Sequence, residues 1–320
     1  MPLLRFIPEA TDIDFVGLRY FAFAIDGLLL LISIVSIAVL HFNLGIDFKG
    51  GVLMEMKAAQ VIDLGKMRAD IISLHFDDQS VQTYYGGGEC DKPRGSCAMI
   101  RVLPRTAKAG ENQNTIDQSA VSSIRDKLGN GYNIRSQAVV GPKVSGELLH
   151  DGVVATLLAI AMIAIYVSVR FEWQYGIGAA IATGHDVLVT AGLFSVLQLD
   201  FSLTSIAALL TLAGYSINDT VVVFDRIREN RRKYKRMKLG DLINLSTNQM
   251  VTRTILTSLA TAMSLIPMYF FGGPNLADFS GPILFGIVIG TFSSTYVAAA
   301  LLLYLPAPAG SVEGPAEATV

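Results

Sequence analysis

Gly214, Tyr215, Ser216, Ile217, Asn218, Asp219 and Thr220 form a polar patch inside an otherwise apolar run from about residue 203 to 224. A carboxylate at that depth has left water, and hydrocarbon or packed protein favours its neutral form. Asp219 is therefore a candidate for proton chemistry, the plain alternative being a hydrogen bond that ties helices together. Helical spacing puts Tyr215 one turn and Thr211 two turns before Asp219, with Ser216 three residues before it, so hydroxyls are expected on the face that carries the acid. A second ionisable pair, His185 and Asp186, lies near the middle of the apolar run 175 to 197. Adjacent helical residues point about 100° apart, so both need neighbouring helices around them. Their roles stay open. The fifth span opens with Thr252-Arg253-Thr254, which puts Arg253 at its cytoplasmic end. If the fourth and fifth helices run antiparallel, Arg253 lies at a depth comparable to Asp219 and either pairs with it or snorkels to lipid phosphates.

The elements that must position these residues are membrane helices. Hydrophobic residues make up 52% of the 320, charged residues 16%, and the mean hydropathy is +0.48. That is too apolar for an ordinary soluble protein of this length. Apolar stretches cover residues 23 to 42, 152 to 169, 175 to 197, 203 to 224, 254 to 271 and 281 to 305. Each is long enough to cross a bilayer. The net charge of −2 says little; the placement of Lys and Arg says more. Arg5 and Arg19, then Arg170, then the cluster from 226 to 238 all fall on one side when six spans are threaded in order. Both termini are then cytoplasmic, residues 1–22 and the basic loop 225–251 lie inside, and residues 43–150 lie outside. The first span resembles a signal peptide but is longer than a usual apolar core of one, so it reads as an uncleaved anchor. Asp26, near its cytoplasmic end, reads as an interfacial residue that snorkels or caps.

The external segment opens on Asn43-Leu44-Gly45-Ile46-Asp47-Phe48-Lys49-Gly50-Gly51, whose glycines permit a sharp change of direction. Gly50 and Gly51 sit where the span hands over to the domain, as a hinge or as a plain tight turn. Residues 52 to 57 alternate as a half-buried strand does, 63 to 74 and 115 to 128 show helical spacing, and 81 to 85, 98 to 103 and 132 to 140 read as strands. The order βαββαβ suggests a small ferredoxin-like domain. The only cysteines, Cys90 and Cys97, fall in the turn between the two central strands, near Gly86-Gly87-Gly88, Pro93 and Gly95. On the oxidising side of a membrane they either close a disulfide or stay as two thiols. Two cysteines with no nearby His are too few for a closed zinc site, so no metal is expected. No phosphate-binding loop, nucleophile elbow or metal-ligand cluster is present, and nothing points to enzymatic catalysis, a cofactor or nucleic acid.

The segment Gly45 to Gly51 resembles the signature of the SecD/SecF protein-export membrane proteins. The seventeen residues that begin at Gly214 and end Val221-Val222-Val223-Phe224-Asp225-Arg226-Ile227-Arg228-Glu229-Asn230 look like the fourth-span signature of the SecF branch. The resemblance covers nearly the whole chain; SecD is expected to carry a larger external segment. It implies an α-helical polytopic membrane protein with six transmembrane helices and one external α+β domain between the first and second. It further implies half of a pseudo-symmetric SecDF unit in a bacterial plasma membrane, paired with SecD, in contact with lipid, acting with the SecYEG translocase on preproteins at the expense of the proton-motive force. The family's proton-relay Asp and Arg fall on Asp219 and Arg253, with Asn218 beside the acid, and its third-span element falls on His185 and Asp186. Cys90 and Cys97 depart from the family pattern. The Pro-, Ala- and Gly-rich residues 306–320 read as a disordered cytoplasmic tail. Two rival readings remain. A small-molecule or lipid exporter of the same superfamily would share the intramembrane acid but needs larger external domains than about a hundred residues. A purely structural subunit would use the polar residues only as glue.

Overall fold

The structure, a computed structural model, describes residues 11–83, 90, 95–105, 107–108 and 111–306. Arg5, Gly86 to Gly88, Pro93 and the tail from 307 lie outside the described residues, as do Tyr84 and Tyr85, expected at a strand end.

Helix α1 (Arg19–Leu40) leads through β1 (Asn43–Leu44) and a single-turn helix α2 (Ile46–Lys49) into a small α+β domain. The domain runs β2 (Gly51–Ala58), α3 (Leu64–Ile72), β3 (Asp78–Thr83), β4 (Cys97–Leu103), α4 (Gln113–Leu128) and β5 (Tyr132–Val140). Its sheet has the order β3-β4-β2-β5, every pair antiparallel. Each helix thus links two strands that have a third between them, which is the split βαβ arrangement. The local chemistry explains the element ends. The Asp63 carboxylate accepts from Gly65 N and Lys66 N at 2.9 and 3.1 Å, capping α3. Asn112 does the same for α4 through Asn114 N, and Gly129 with φ +67 ends that helix. Val52, Met54 and Met56 alternate inward with Ala98, Ile100 and Val102 of the adjacent strand and meet Met67, Ile71 and Ile124 of the helices. Cys90 and Cys97 form a disulfide with a Cα–Cα distance of 5.4 Å.

The remaining chain is a helical bundle: α5 (Pro142–Arg170), α6 (Trp173–Val196), α7 (Leu203–Lys233), α8 (Leu239–Phe271) and α9 (Pro274–Phe292), the last continued by a π-helical stretch (Ser293–Ala298) into α10 (Ala299–Leu301). Six segments are long and apolar enough to cross a membrane. The segments in α6, α7 and α9 are half or more buried, while α1, α5 and α8 leave most of their apolar surface uncovered. Outward-facing Leu256, Leu259, Met263 and Phe270 on α8 suit hydrocarbon, where an exposed apolar face carries no penalty.

Two boundaries differ from hydropathy. The fourth apolar run ends near 224 but α7 continues to Lys233, and α8 begins at Leu239, fifteen residues before the fifth run. Hydropathy marks where a helix can be solvated by lipid, not where its backbone hydrogen bonds stop. The basic segment expected as a loop is therefore two helix ends joined by a short link. Arg231 bonds Glu172 at 2.6 Å, and Asn230 bonds Ser246 at 2.9 Å, which holds these ends against α6 and each other. Residues before α1 lie on α8, where Asn244 accepts from Val16 N and Asn248 from Ile13 N.

Candidate functional site

Ser202 and Ser205 form a capping box at the start of α7, which needs its first N–H groups satisfied at the end nearest the domain. From Leu203 the helix climbs sixteen residues, about 24 Å, to Asp219. Asp219 is 3% exposed. Its Oδ1 accepts a long bond of 3.3 Å from Thr257 Oγ1 on α8, and its Oδ2 has no hydrogen-bond partner. One turn back, Tyr215 OH donates to Ser258 Oγ at 3.0 Å, and Ser258 meets Thr291 of α9 at 2.7 Å. A buried carboxylate with one oxygen unbonded is costly when ionised, and a proton on that oxygen removes most of the cost.

Arg253 does not complete it. Among the described residues Asp219 and Arg253 form no ion pair. Because α7 and α8 are antiparallel, Thr257 is the residue level with Asp219, and Arg253 sits one turn, about 6 Å, closer to the basic end. There it is exposed and lines a cavity of about 470 Å³ with Arg170, Asp225, Arg226 and Glu229. Asn218, about 100° round the helix from Asp219, is exposed on the outer face, and so is Thr211, whose hydroxyl donates to its own helix at Ala207 O. Thr211 thus does not join the acid as helical spacing suggested, and Asn218 faces away from it. Ser216 is buried but turns to a different carboxylate.

That carboxylate is Asp186, which is fully buried. Ser216 Oγ donates to Asp186 Oδ2 at 2.5 Å, and His185 Nδ1 lies 3.1 Å from Asp186 Oδ1. The other imidazole nitrogen faces α1: His185 Nε2 is 3.4 Å from Asp26 O and 3.9 Å from Asp26 Oδ2. Asp26 is 4% exposed, so the interfacial reading of this residue is wrong. Its helix buries Ala22, Asp26, Ser33 and Ser36, a stripe of small and polar residues at helical spacing that points into the bundle. Close approach of helices makes the contact: a Cβ on Gly192 of α6 would meet Ser33 Cα at 2.8 Å, and one on Gly290 of α9 would meet Asp186 Oδ2 at 3.2 Å.

The signature residues Gly45, Asp47, Gly50 and Gly51 lie at the other end of α7. β1 pairs in parallel with β6 (Asp200–Phe201), and Gly45 N donates to Phe201 O at 2.8 Å. Asp47 Oδ2 accepts from Leu203 N at 2.9 Å, so the signature carboxylate satisfies an orphan N–H in the first turn of the helix that carries Asp219. Arg101 of β4 bonds Asp200 Oδ1 at 3.3 Å and Leu44 O at 3.2 Å, fastening the domain to the same junction. Gly50 and Gly51 have φ of +76 and +115, and a Cβ on Gly51 would lie 2.5 Å from Val102 O. Glycine is demanded there by backbone conformation and by the neighbouring strand together.

Two family descriptions match the chain: protein export membrane protein SecD/SecF, C-terminal, over residues 120–307, and the SecD/SecF GG motif over residues 35–60. Protein translocase subunit SecF of Rhodobacter capsulatus is 40% identical over 94% of this chain and 91% of that protein. The corresponding subunits of Cereibacter sphaeroides and Rickettsia prowazekii are 41% and 38% identical over 94% and 93% of this chain, and over 92% and 93% of their own lengths. Among solved structures, SecDF of Thermus, a translocon-associated membrane protein, superposes with a TM-score of 0.76 at 30% identity over 94% of this chain. SecDF in its super-membrane-facing form gives 0.66 at 31% over 95%. The chain spans 39% of the length of each of those SecDF chains. The chain belongs to the SecD/SecF family of protein-export membrane proteins.

Proposed function

We propose that this chain is the SecF-type half of a two-part unit that assembles with a SecD-type partner, works beside the SecYEG translocase, and spends the proton-motive force on moving preprotein across and off a bacterial plasma membrane. The observation that carries the reading is Asp219, an acid deep in a membrane-length helix with one carboxylate oxygen unbonded. The names of its relatives and the SecDF architecture it matches agree with this. In this reading both termini and the basic helix ends lie in the cytoplasm and the α+β domain outside, which the Lys and Arg residues that fall on one side of the six spans support.

In this mechanism Asp219 takes a proton from the outer side and gives it up inward. Ionised Asp219 attracts Arg253, and a displacement of about one helical turn between α7 and α8 closes the gap between them. Protonation removes the attraction and lets the helices return. Because Asp47, β1–β6 and Arg101–Asp200 fasten the outer end of α7 to the domain, the shift reaches the domain along the helix. One proton crossing the membrane releases about 2.3 kcal/mol per 100 mV, enough to bias such a two-state element. The test uses membrane vesicles in which ATP-driven movement of a preprotein is stopped part-way and a gradient is then applied. Vesicles holding this chain with its partner should complete translocation severalfold faster than vesicles lacking it. Equal rates would refute the proposal.

A further inference from the structure

We propose that Asp26, His185 and Asp186 form a second proton-binding site, with an imidazolium bridging two carboxylates and its proton holding α1 against α6. Its consequence for transport rests on the proton-coupled reading above, but its existence does not. The geometry fixes the count of hydrogens. Nδ1 of His185 faces Asp186 Oδ1, and Nε2 faces Asp26 O and Asp26 Oδ2. With both acids ionised, all three are acceptors, while a neutral imidazole has a single N–H. Asp186 already receives the Ser216 hydroxyl on its second oxygen, so Nδ1–H completes it. Nε2 of a neutral ring would then present a lone pair to the oxygens of Asp26, neither of whose carboxylate oxygens has a hydrogen-bond partner although the residue is 96% buried. One added proton on Nε2 turns this repulsive contact into an ion pair.

The charges facing His185 are Asp26 from α1 and Asp186 from its own helix. α7 contributes the Ser216 hydroxyl and α9 the backbone at Gly290. No Lys or Arg enters this set, so the two acids are balanced only by the imidazole. Asp26 and Ser33 lie on the buried stripe of α1, and Gly192 brings α6 within contact of Ser33. Loss of the proton therefore leaves α1 with an uncompensated buried acid on the face it packs against α6, and α1 is the helix that leads directly into β1 and the domain.

The experiment is a titration of His185 in the full chain, reconstituted in nanodiscs, with the other three histidines (His41, His75 and His150) replaced by Gln and the remaining one labelled with ¹⁵N. The spectra separate the imidazolium from each neutral tautomer. The proposal expects imidazolium at neutral pH, and an imidazolium-to-neutral ratio about tenfold lower at the same pH in Asp26→Asn, since one flanking charge is gone. Asp26→Glu keeps the charge and should retain the imidazolium. A parent ring that stays neutral from about pH 5 to 8 overturns the proposal without any variant. So does an Asp26→Asn ratio equal to the parent's, or a titration that moves when Na⁺ replaces K⁺, which would assign the site to a metal cation. Export measurements fail separately. Vesicles of Asp219→Asn that keep their gradient response refute the transport reading, while the His185 spectra alone decide this site.

Discussion

Removing the Asp200 side chain should loosen the junction between the domain and α7 by an amount that can be worked out. Asp200 Oδ1 accepts from Asn43 Nδ2 at 2.7 Å and from Arg101 Nη1 at 3.3 Å. The ion pair is partly buried, with side-chain exposures of 16% for Arg101 and 31% for Asp200. A hydrogen bond to a charged group contributes about 1.5 to 3 kcal/mol when shielded, and partial exposure brings it down to about 1 kcal/mol. The bond from the Asn43 amide to the same carboxylate adds about 1 kcal/mol after the same discount for exposure. Asp200→Ala therefore costs the junction about 2 kcal/mol, or about thirtyfold in its opening equilibrium. Hydrogen exchange of the full chain reads this directly at two amides, Gly45 N–H on Phe201 O and Leu203 N–H on Asp47. Both should exchange ten- to thirtyfold faster, by the same conversion. Lys49→Ala serves as the control: its contact with Asp78 is 4.0 Å long and exposed, and its loss should change neither amide. Unchanged protection at Gly45 in Asp200→Ala would refute the idea that side chains, and not only the short β1–β6 pair, fasten the domain to α7.

Gly51→Ala should lower the amount of folded protein, costing about 3 kcal/mol from φ +115 and the 2.5 Å approach to Val102 O, whereas Gly129→Ala, at φ +67 in open space, should cost about 1 kcal/mol; resistance to limited proteolysis ranks the two. A β-branched residue at Gly51 consequently tests sheet packing before it tests a hinge. Cys90→Ser with Cys97→Ser should lower the stability of the hairpin by about 2 kcal/mol, modest because the bonded loop is short, and the parent should shift in mobility on a reducing gel. A single cysteine at Lys235 should be shielded in intact cells from a probe that cannot cross the membrane, and one at Lys127 should react; the reverse pattern inverts the assigned orientation.

Much of this architecture was legible because two periodicities carry it. The alternation Val52, Met54, Met56 and the spacing Met67, Ile71 announce strand and helix before any contact is known. The six apolar runs do the same for the bundle. The disulfide was one of two open states for Cys90 and Cys97, and only the approach of the two residues in the structure closes it. What sequence could not supply is rotation of one helix against another. Spacing along α7 put Thr211 and Ser216 on the acid's face, yet Thr211, about 80° round the helix after eight residues, is exposed, and Ser216 serves Asp186, because a buried face about 100° wide has room for two separate polar clusters. Depth along α8 was judged to within a turn, and that turn is the difference between Thr257, which reaches Asp219, and Arg253, which does not. Asp26 was missed because a charge near a span's end has a cheap explanation in snorkelling, while the serines a few turns on that betray its true direction are weak signals one at a time. The segment from Asn43 to Gly51 looked like a change of direction and is also a short strand, a one-turn helix and a cap for α7, with contacts made across more than 150 residues of chain.

The most direct test of the central claim is the gradient response of Asp219→Asn. Asn keeps the size of the side chain and its bond to Thr257 while losing the ability to gain or release a proton. Vesicles carrying the variant, assembled normally with the SecD-type partner, should complete a stopped preprotein no faster with a gradient than without one, while Asp219→Glu should recover part of the response. A response in Asp219→Asn equal to the parent's would contradict the account and move the coupling proton to another group.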